Sequence, residues 1–300
     1  MTLQQLRYVT MVAKTGTITE AANKLYISQP SLTSAIHELE NEMNIVIFRR
    51  TNKGVSVTKE GEDFLGYARQ VLEQAAILED KYKKNSGGKK QFCVSTQHYS
   101  FAVNAFVDLI KKYGQDEYDF SIRETQTYEI IEDVAKMRSE LGILFLNDFN
   151  ETVINKILKS HELEFTQLFV AKPHVFISRK HPLADKKIIT NSELELYPYL
   201  SFEQGEHNSF YFSEEIFSAS ERKKNIRVRD RATLFNLLIG LNGYTVCSGV
   251  ISAELNGPSI ISVPLEINEY MEIGVIYRKG TKRTRYGSVY LEALKRHIPQ

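Results

Sequence analysis

The 300-residue sequence predicts two kinds of domain in series. The first is a small all-α domain with a β-hairpin, continued by one long helix. The second is an α/β domain over the last two hundred residues. Three observations predict this. Apolar residues recur at helical spacing, with caps between the runs, as far as Met43. A proline-free stretch follows from Glu60 to Lys84. Beyond residue 90, short apolar β-runs alternate with helical ones. At 42% hydrophobic content the chain can bury more than one core.

Leu3, Leu6, Val9 and Ala13 mark one face of a first helix. Thr17 with Glu20 three residues later has the spacing of a capping box. Ile18, Ala21, Ala22 and Leu25 then form one face of a short second helix. Tyr26 and Ile27 make a turn. Ser28 is a good N-cap, and Pro30 in the first turn costs no hydrogen bond because those N–H groups lack helical partners. Leu32, Ile36, Leu39 and Met43 run down one face of the third helix, leaving Gln29, Ser31, Thr33, Ser34 and His37 on the others. A short helix, a tight turn and a second helix with small polar residues at its start suit presentation to the major groove of DNA. The plainer alternative is an ordinary two-helix corner. Ile45/Ile47 and Val55/Val57 alternate on either side of a Thr-Asn-Lys-Gly turn, which predicts a hairpin wing. Residues 1–59 carry seven Lys/Arg against four Glu, a net +3 in a chain whose total is +1. Arg49, Arg50, Lys53 and Lys59 cluster at the wing, where phosphates would lie.

Six separated pieces in order carry a family resemblance: Leu3-Gln-Gln-Leu-Arg-Tyr, Thr17-Ile-Thr-Glu-Ala-Ala, Leu25-Tyr-Ile-Ser-Gln-Pro-Ser, Ile36-His-Glu-Leu-Glu, Phe48-Arg-Arg and Val57-Thr-Lys-Glu-Gly. Together they resemble the winged helix-turn-helix of LysR-type transcriptional regulators. The resemblance implies that Gln29, Pro30, Ser31 and Thr33 line the DNA-facing start of the recognition helix. Ser34 stands where the family commonly has Arg. Arg49, Arg50 and Lys53 are expected on phosphates.

Phe64, Ala68, Val71, Ala75, Leu78 and Tyr82 are spaced alternately four and three apart. That is a coiled-coil seam, which predicts a dimerisation helix over 60–84. The alternative is a helix packed on its own domain. Asn85-Ser-Gly-Gly-Lys-Lys90 reads as a hinge.

Beyond it come β-runs at 92–95, 120–124, 141–146, 174–178, 226–230 and 245–248, with helical runs at 100–113, 127–138 and 231–243. The alternation predicts an α/β fold with mostly parallel strands. In such folds ligands bind beyond the carboxyl ends of strands, beside helix N-termini that favour anions. The resemblance further implies a two-lobed, periplasmic-binding-protein-like effector domain. The expected divisions are 1–59, 60–84, 85–90 and 91–300, with lobe one at 91–160 and 277–300 and lobe two at 161–276. The chain would cross between lobes near 161–170 and 264–276, and a helix around Tyr286–His297 would return to lobe one. Candidate ligand contacts from lobe one are Ser95, Thr96, Gln97, His98, Thr125, Gln126 and Thr127. From lobe two they are Ser201, Phe202, Thr233, Cys247 and Ser248. Ser, Thr and Gln donors with few fixed charges suit a small polar or anionic metabolite.

Only Cys93 and Cys247 are present, placed in strands of opposite lobes, where burial makes a thiol inert. Neither a signal peptide nor a transmembrane run is read near Met1, which suits a cytoplasmic protein. Seven histidines without metal spacing, and no phosphate loop or GxSxG, point to no metal, no cofactor and no enzyme. Lys172-Pro-His174 and Arg179-Lys-His181 read as surface turns. The expected partners are double-stranded promoter DNA, a small-molecule effector and the chain itself. The family implies a homodimer that pairs into a homotetramer, with RNA polymerase as a further candidate partner. An enzyme with a DNA-binding head, a transport binding protein and an effector-independent regulator are the alternatives.

Overall fold

In the computed structural model, which describes residues 1–51, 54–82, 90–114, 117–207, 209–216 and 222–299, Thr2 opens α1 (Leu3–Thr15) with a full capping box to Gln5. Leu6, Val9 and Val12 are the buried face of α1, while Leu3 is exposed. α2 (Ile18–Leu25) starts at Thr17, whose hydroxyl accepts from Glu20 N at 3.2 Å. The expected box is only half made, because the Glu20 carboxylate turns to Lys24 at 2.7 Å. Tyr26 closes the helix in the left-handed region at φ 54°. α3 (Gln29–Met43) buries Leu32, Ile36 and Leu39 and leaves Met43 exposed. The wing is β1 (Phe48–Thr51) paired with β2 (Gly54–Val57), in register from Phe48↔Val57 to Thr51↔Gly54. Ile47 precedes the strand and is buried in the domain core, its N–H donating to Glu40 Oε1 at 2.7 Å. α4 (Lys59–Tyr82) follows. Leu65 is fully buried in that same core and Phe64 packs against it.

These elements belong to one compact unit, Met1–Gly88 with Lys136–Arg138; the second is Lys89–Ala135 with Ser139–Gln300. The second begins with β3 (Lys90–Thr96), α5 (Ser100–Tyr113), β4 (Tyr118–Glu124), α6 (Thr127–Ala135), β5 (Leu141–Leu146), α7 (Glu151–Ser160), β6 (Leu163–Ala171) and β7 (His174–Ser178). It continues through α8 (Asn191–Leu194), β8 (Tyr199–Phe202), β9 (Asn225–Val228), α9 (Arg231–Leu241), β10 (Thr245–Cys247), α10 (Ala253–Asn256), β11 (Ile260–Pro264), β12 (Met271–Arg278) and α11 (Arg285–Arg296). Lobe one is a five-stranded sheet of order β4-β3-β5-β12-β6. β5 is buried along its whole length, because successive side chains feed opposite faces. Leu141, Ile143 and Phe145 join α5 and α11 in one core; Leu144 and Leu146 join α6 and α7 in another. Tyr290 of α11 donates to the Ala102 carbonyl of α5 at 3.0 Å, tying the C-terminal helix to this lobe. Lobe two has a three-stranded sheet, β10-β7-β11, and a β8–β9 pair. Its own core is Leu200, Val228, Leu234, Leu238 and Ile260.

Two expectations are corrected. The pairs β3–β4, β3–β5 and β8–β9 are parallel, but β12 runs antiparallel to both β5 and β6, and β7 is antiparallel to both of its neighbours. The strands at 163–171, 260–264 and 271–278, not expected from the sequence, account for three of these pairings, and β7 with β10 is a fourth between two expected strands. The lobe boundaries also differ. β6 and β12 pair from Leu163↔Arg278 to Ala171↔Met271 within the first sheet. The first passage between lobes therefore falls at 172–173, after the expected 161–170, and the second at 266–270, inside the expected 264–276. Of the hinge expected at 85–90, residues 85–89 lie outside the described residues, and Lys90 already belongs to β3.

Candidate DNA-binding and ligand-binding sites

The start of α3 is held rigid by its cap. Ser28 Oγ accepts from Ser31 N at 3.2 Å and lies 2.7 Å from Ser31 Oγ. Gln29, Pro30, Ser31 and Ser34 are exposed, and Thr33 is half-buried with its hydroxyl donating to the Gln29 carbonyl. The Gln29 side-chain oxygen accepts from Thr19 Oγ1 of α2 at 3.1 Å. That contact holds the amide against α2 on an exposed helix start. Ser34 Oγ donates to Glu38 at 3.3 Å, one turn along the helix. Arg49 and Arg50 are exposed on β1, and as strand neighbours they point to opposite faces of the wing. Lys53 lies outside the described residues. Along α4, Ala68 is buried in the single chain, Ala75 is half-buried, and Val71 and Leu78 are 41% and 60% exposed. The Tyr82 side chain is outside the described residues. The seam expected between two chains is thus partly engaged within one: Phe64 and Ala68 are packed, and the exposed apolar positions start at Val71.

In lobe one, the residues expected at the cleft divide sharply. Ser95 is buried on the α6 face of β3, donating to Asp133 at 2.7 Å and lying 2.7 Å from Ser139 Oγ. Thr96 turns onto the Gln97 carbonyl. Gln97 is fully engaged: its NH2 donates to Thr127 Oγ1, and its oxygen accepts from Tyr99 Oη and Phe145 N. Thr125 is tied to the Glu129 carboxylate, and Gln126 packs under Gly205. Thr127 N, opening α6, donates to Gln204 Oε1 at 3.1 Å. None of these reaches the cavity between the lobes. His98 does. Its Nδ1 is 2.9 Å from Glu214 Oε2, its backbone N donates to the same oxygen at 3.0 Å, and its ring stacks on Phe202 at 3.7 Å. His98 and Glu214 side chains are each 5% exposed. Burial pulls the His98 pKa down, but the charge and hydrogen bond of Glu214 outweigh it, so the net direction is up.

In lobe two, Phe202, Cys247 and Ser248 line the same cavity, whereas Ser201 is buried in β8 and Thr233 is exposed on α9. The cavity holds about 40 Å³, room for about three water molecules. Glu214, Glu215 and Arg231 also line it, and the sequence reading missed all three. Arg231 opens α9 and pairs with Glu124 of β4 at 2.9 Å, a second charged bridge between lobes. Glu215 Oε1 accepts from Phe202 N at 2.8 Å, and burial drives this carboxyl well above the usual range. The adjacent carboxylates in the aromatic-rich run 210–216 were the signal available in the sequence. The anion seats expected at helix starts are filled from within: Glu214 takes His98 N, Gln204 takes Thr127 N, and Asp230 caps Thr233 N.

Two further readings resolve. His181 is no surface turn: it is buried, its Nε2 meeting the Asn242 carbonyl and its Nδ1 accepting from Leu183 N. His174 opens β7, its ring against the Lys172 carbonyl. The Cys247 thiol is pushed up by desolvation, which suppresses the reactive thiolate. Among the described residues no group of three or more His, Cys, Asp or Glu is placed to hold a metal. No described helix is long and apolar enough to cross a membrane.

Comparison with known proteins bears on both sites. Residues 3–62 match the family model of the bacterial regulatory helix-turn-helix protein, lysR family, and residues 93–299 match the LysR substrate binding domain. The Hca operon transcriptional activator HcaR of Escherichia coli is 30% identical over 202 residues, covering 67% of this chain and 65% of that protein. The uncharacterized regulator YbhD of the same organism is 26% identical over 92% of this chain and 86% of its own length. Among solved structures, a full-length OxyR from Pseudomonas aeruginosa superposes with a TM-score of 0.70 at 20% identity, covering 98% of this chain and 95% of its own. CbnR, a LysR family transcriptional regulator, gives 0.60 at 19% with both chains fully covered. The fold is therefore shared along the whole chain. With both family models matched, the chain belongs to the LysR family: it is a DNA-binding transcriptional regulator with a substrate-binding domain.

Proposed function

We propose that this regulator binds promoter DNA through the start of α3, with Arg49, Arg50 and Lys53 of the wing on phosphates. We further propose that it senses a small polar ligand in the cleft between its lobes. The observation that carries the first part is the exposed, Ser28-capped start of α3, with the Gln29 amide held by Thr19 of α2. Pro30, Ser31, Thr33 and Ser34 supply the surrounding contact surface. The second part is supported by a cavity lined from both lobes and closed by His98–Glu214 and Glu124–Arg231. A ligand shifts such a closure only by its differential affinity for the two lobe arrangements. Val71, Ala75 and Leu78 pair two chains, placing two recognition helices on inverted half-sites about one helical turn apart or a multiple of it. Pairs of dimers give the tetramer. The protein works where the promoter is, in the cytoplasm, with RNA polymerase as the partner that reads its position.

Gln29→Ala tests the reading by fluorescence anisotropy. It is expected to cost about 1–3 kcal/mol at the cognate site and little on random DNA. Equal losses on both DNAs would remove base readout by Gln29. Lys53→Ala is expected to weaken both and to lower the salt slope by about one.

A further inference from the structure

Three residues that line the inter-lobe cavity each carry a buried polar atom with no hydrogen-bond partner among the described residues: Glu215 Oε2, Thr245 Oγ1 and Arg231 Nη1. Glu215 and Thr245 are 3% and 4% exposed. Buried polar groups are ordinarily satisfied, and each one left alone costs free energy. Here one carboxyl oxygen, one hydroxyl and one guanidinium N–H belong to the lining of the same small cavity. The remaining wall is mixed: the His98–Glu214 pair, Ser100 and Ser248 stand beside an apolar part that includes Phe176, Leu234, Phe235 and Met271.

We propose that the cleft takes a small zwitterion, an α-amino acid with a short apolar side chain. Its ammonium is held by Glu215 Oε2 with Thr245 Oγ1, its carboxylate by Arg231 Nη1. This rests on the cleft being the effector site, and it revises the anionic ligand expected from sequence. A simple anion can accept from Arg231 Nη1 but leaves Glu215 in the neutral form that burial favours, with no charge to pair. A simple amine leaves Arg231 Nη1 unanswered. A ligand carrying both charges pairs with both ends. Burial favours the neutral form of Glu215; an ammonium beside it supplies the charge that offsets this. The cavity's small size limits the side chain.

The test is calorimetric titration of the full chain with matched triads. L-alanine is compared with propionate and ethylamine, and L-valine with 3-methylbutanoate and 2-methylpropylamine. At least one amino acid is expected to bind, with each of its halves at least about tenfold weaker, the loss of one charge-assisted contact. Glu215→Gln keeps the acceptor for Phe202 N, and the melting temperature without ligand checks that the fold is kept. Amino-acid affinity should fall about tenfold or more. Three results would overturn the proposal: no binding by any small L-amino acid, a lone carboxylate binding as tightly as its amino acid, or unchanged affinity in the variant. A promoter footprint that responds to propionate and to no amino acid removes this inference and keeps the regulator. Loss of specific DNA binding removes the regulator reading and leaves the titration to be judged alone.

Discussion

His98 follows two residues after the last of β3, where the chain has left the sheet and its side chain points past the strand ends toward lobe two. Ser95, Thr96 and Gln97 were equally attractive as letters, but within or beside a strand covered on both faces their side chains turn into helices and backbone. The sequence marks this strand end as a candidate ligand wall, but periodicity alone does not say which residue clears the sheet. Glu214 and Glu215 were less visible still, because nothing in a one-residue view says that a carboxylate from a distant run will meet His98. The buried His98–Glu214 pair gives a prediction with a sign. With the folded pKa raised, the contribution of His98 to stability is fully present below its unfolded value of about 6.5 and is lost as pH rises through the folded value. His181, lowered by burial, has the opposite sense: its contribution is present above about 6.5 and is lost as pH falls through its folded value. His98→Ala is expected to cost about 3–5 kcal/mol near neutral pH by stranding Glu214, with the difference from wild type shrinking toward alkaline pH in urea titrations. A difference independent of pH would show that the pair carries no charge.

At the scale of elements, the helices were legible because caps and periodicity are local. Ser28, Pro30 and the Leu32–Leu39 face stand in the structure as the sequence has them. The wing was legible in outline but not in its support. Val55 N donates to the Gly16 carbonyl at 2.9 Å, tying β2 to the turn between α1 and α2. Gly54 has φ 136°, and a Cβ there would lie 2.4 Å from Gly16 O. Gly54→Ala therefore meets both backbone strain and a main-chain clash. It is expected to lose about 1–3 kcal/mol of domain stability in urea unfolding and to weaken DNA binding in parallel. Wild-type stability in that variant would contradict the geometry. The antiparallel strands were not legible because β6 and β12 meet only through contacts a hundred or more residues apart along the chain, and no local pattern encodes such pairing.

For the whole molecule, the account joins a DNA-reading unit to a two-lobed sensor through α4. Val71 and Leu78 are exposed apolar residues one heptad from each other, which is unfavourable in a lone chain and useful in a paired one. Leu78→Asp is expected to shift sedimentation toward monomer and to weaken binding to paired half-sites far more than to a single half-site. A variant that sediments like wild type would place the dimer contact elsewhere. The central claim is that two copies of α3 read an inverted DNA site near a gene this protein controls. DNase footprinting of the region upstream of its own gene, with wild type and Gln29→Ala side by side, tests it most directly. The account predicts protection of two inverted half-sites that survives excess random DNA for wild type and is lost for the variant. Protection that random DNA competes away equally, or that Gln29→Ala leaves unchanged, would contradict it.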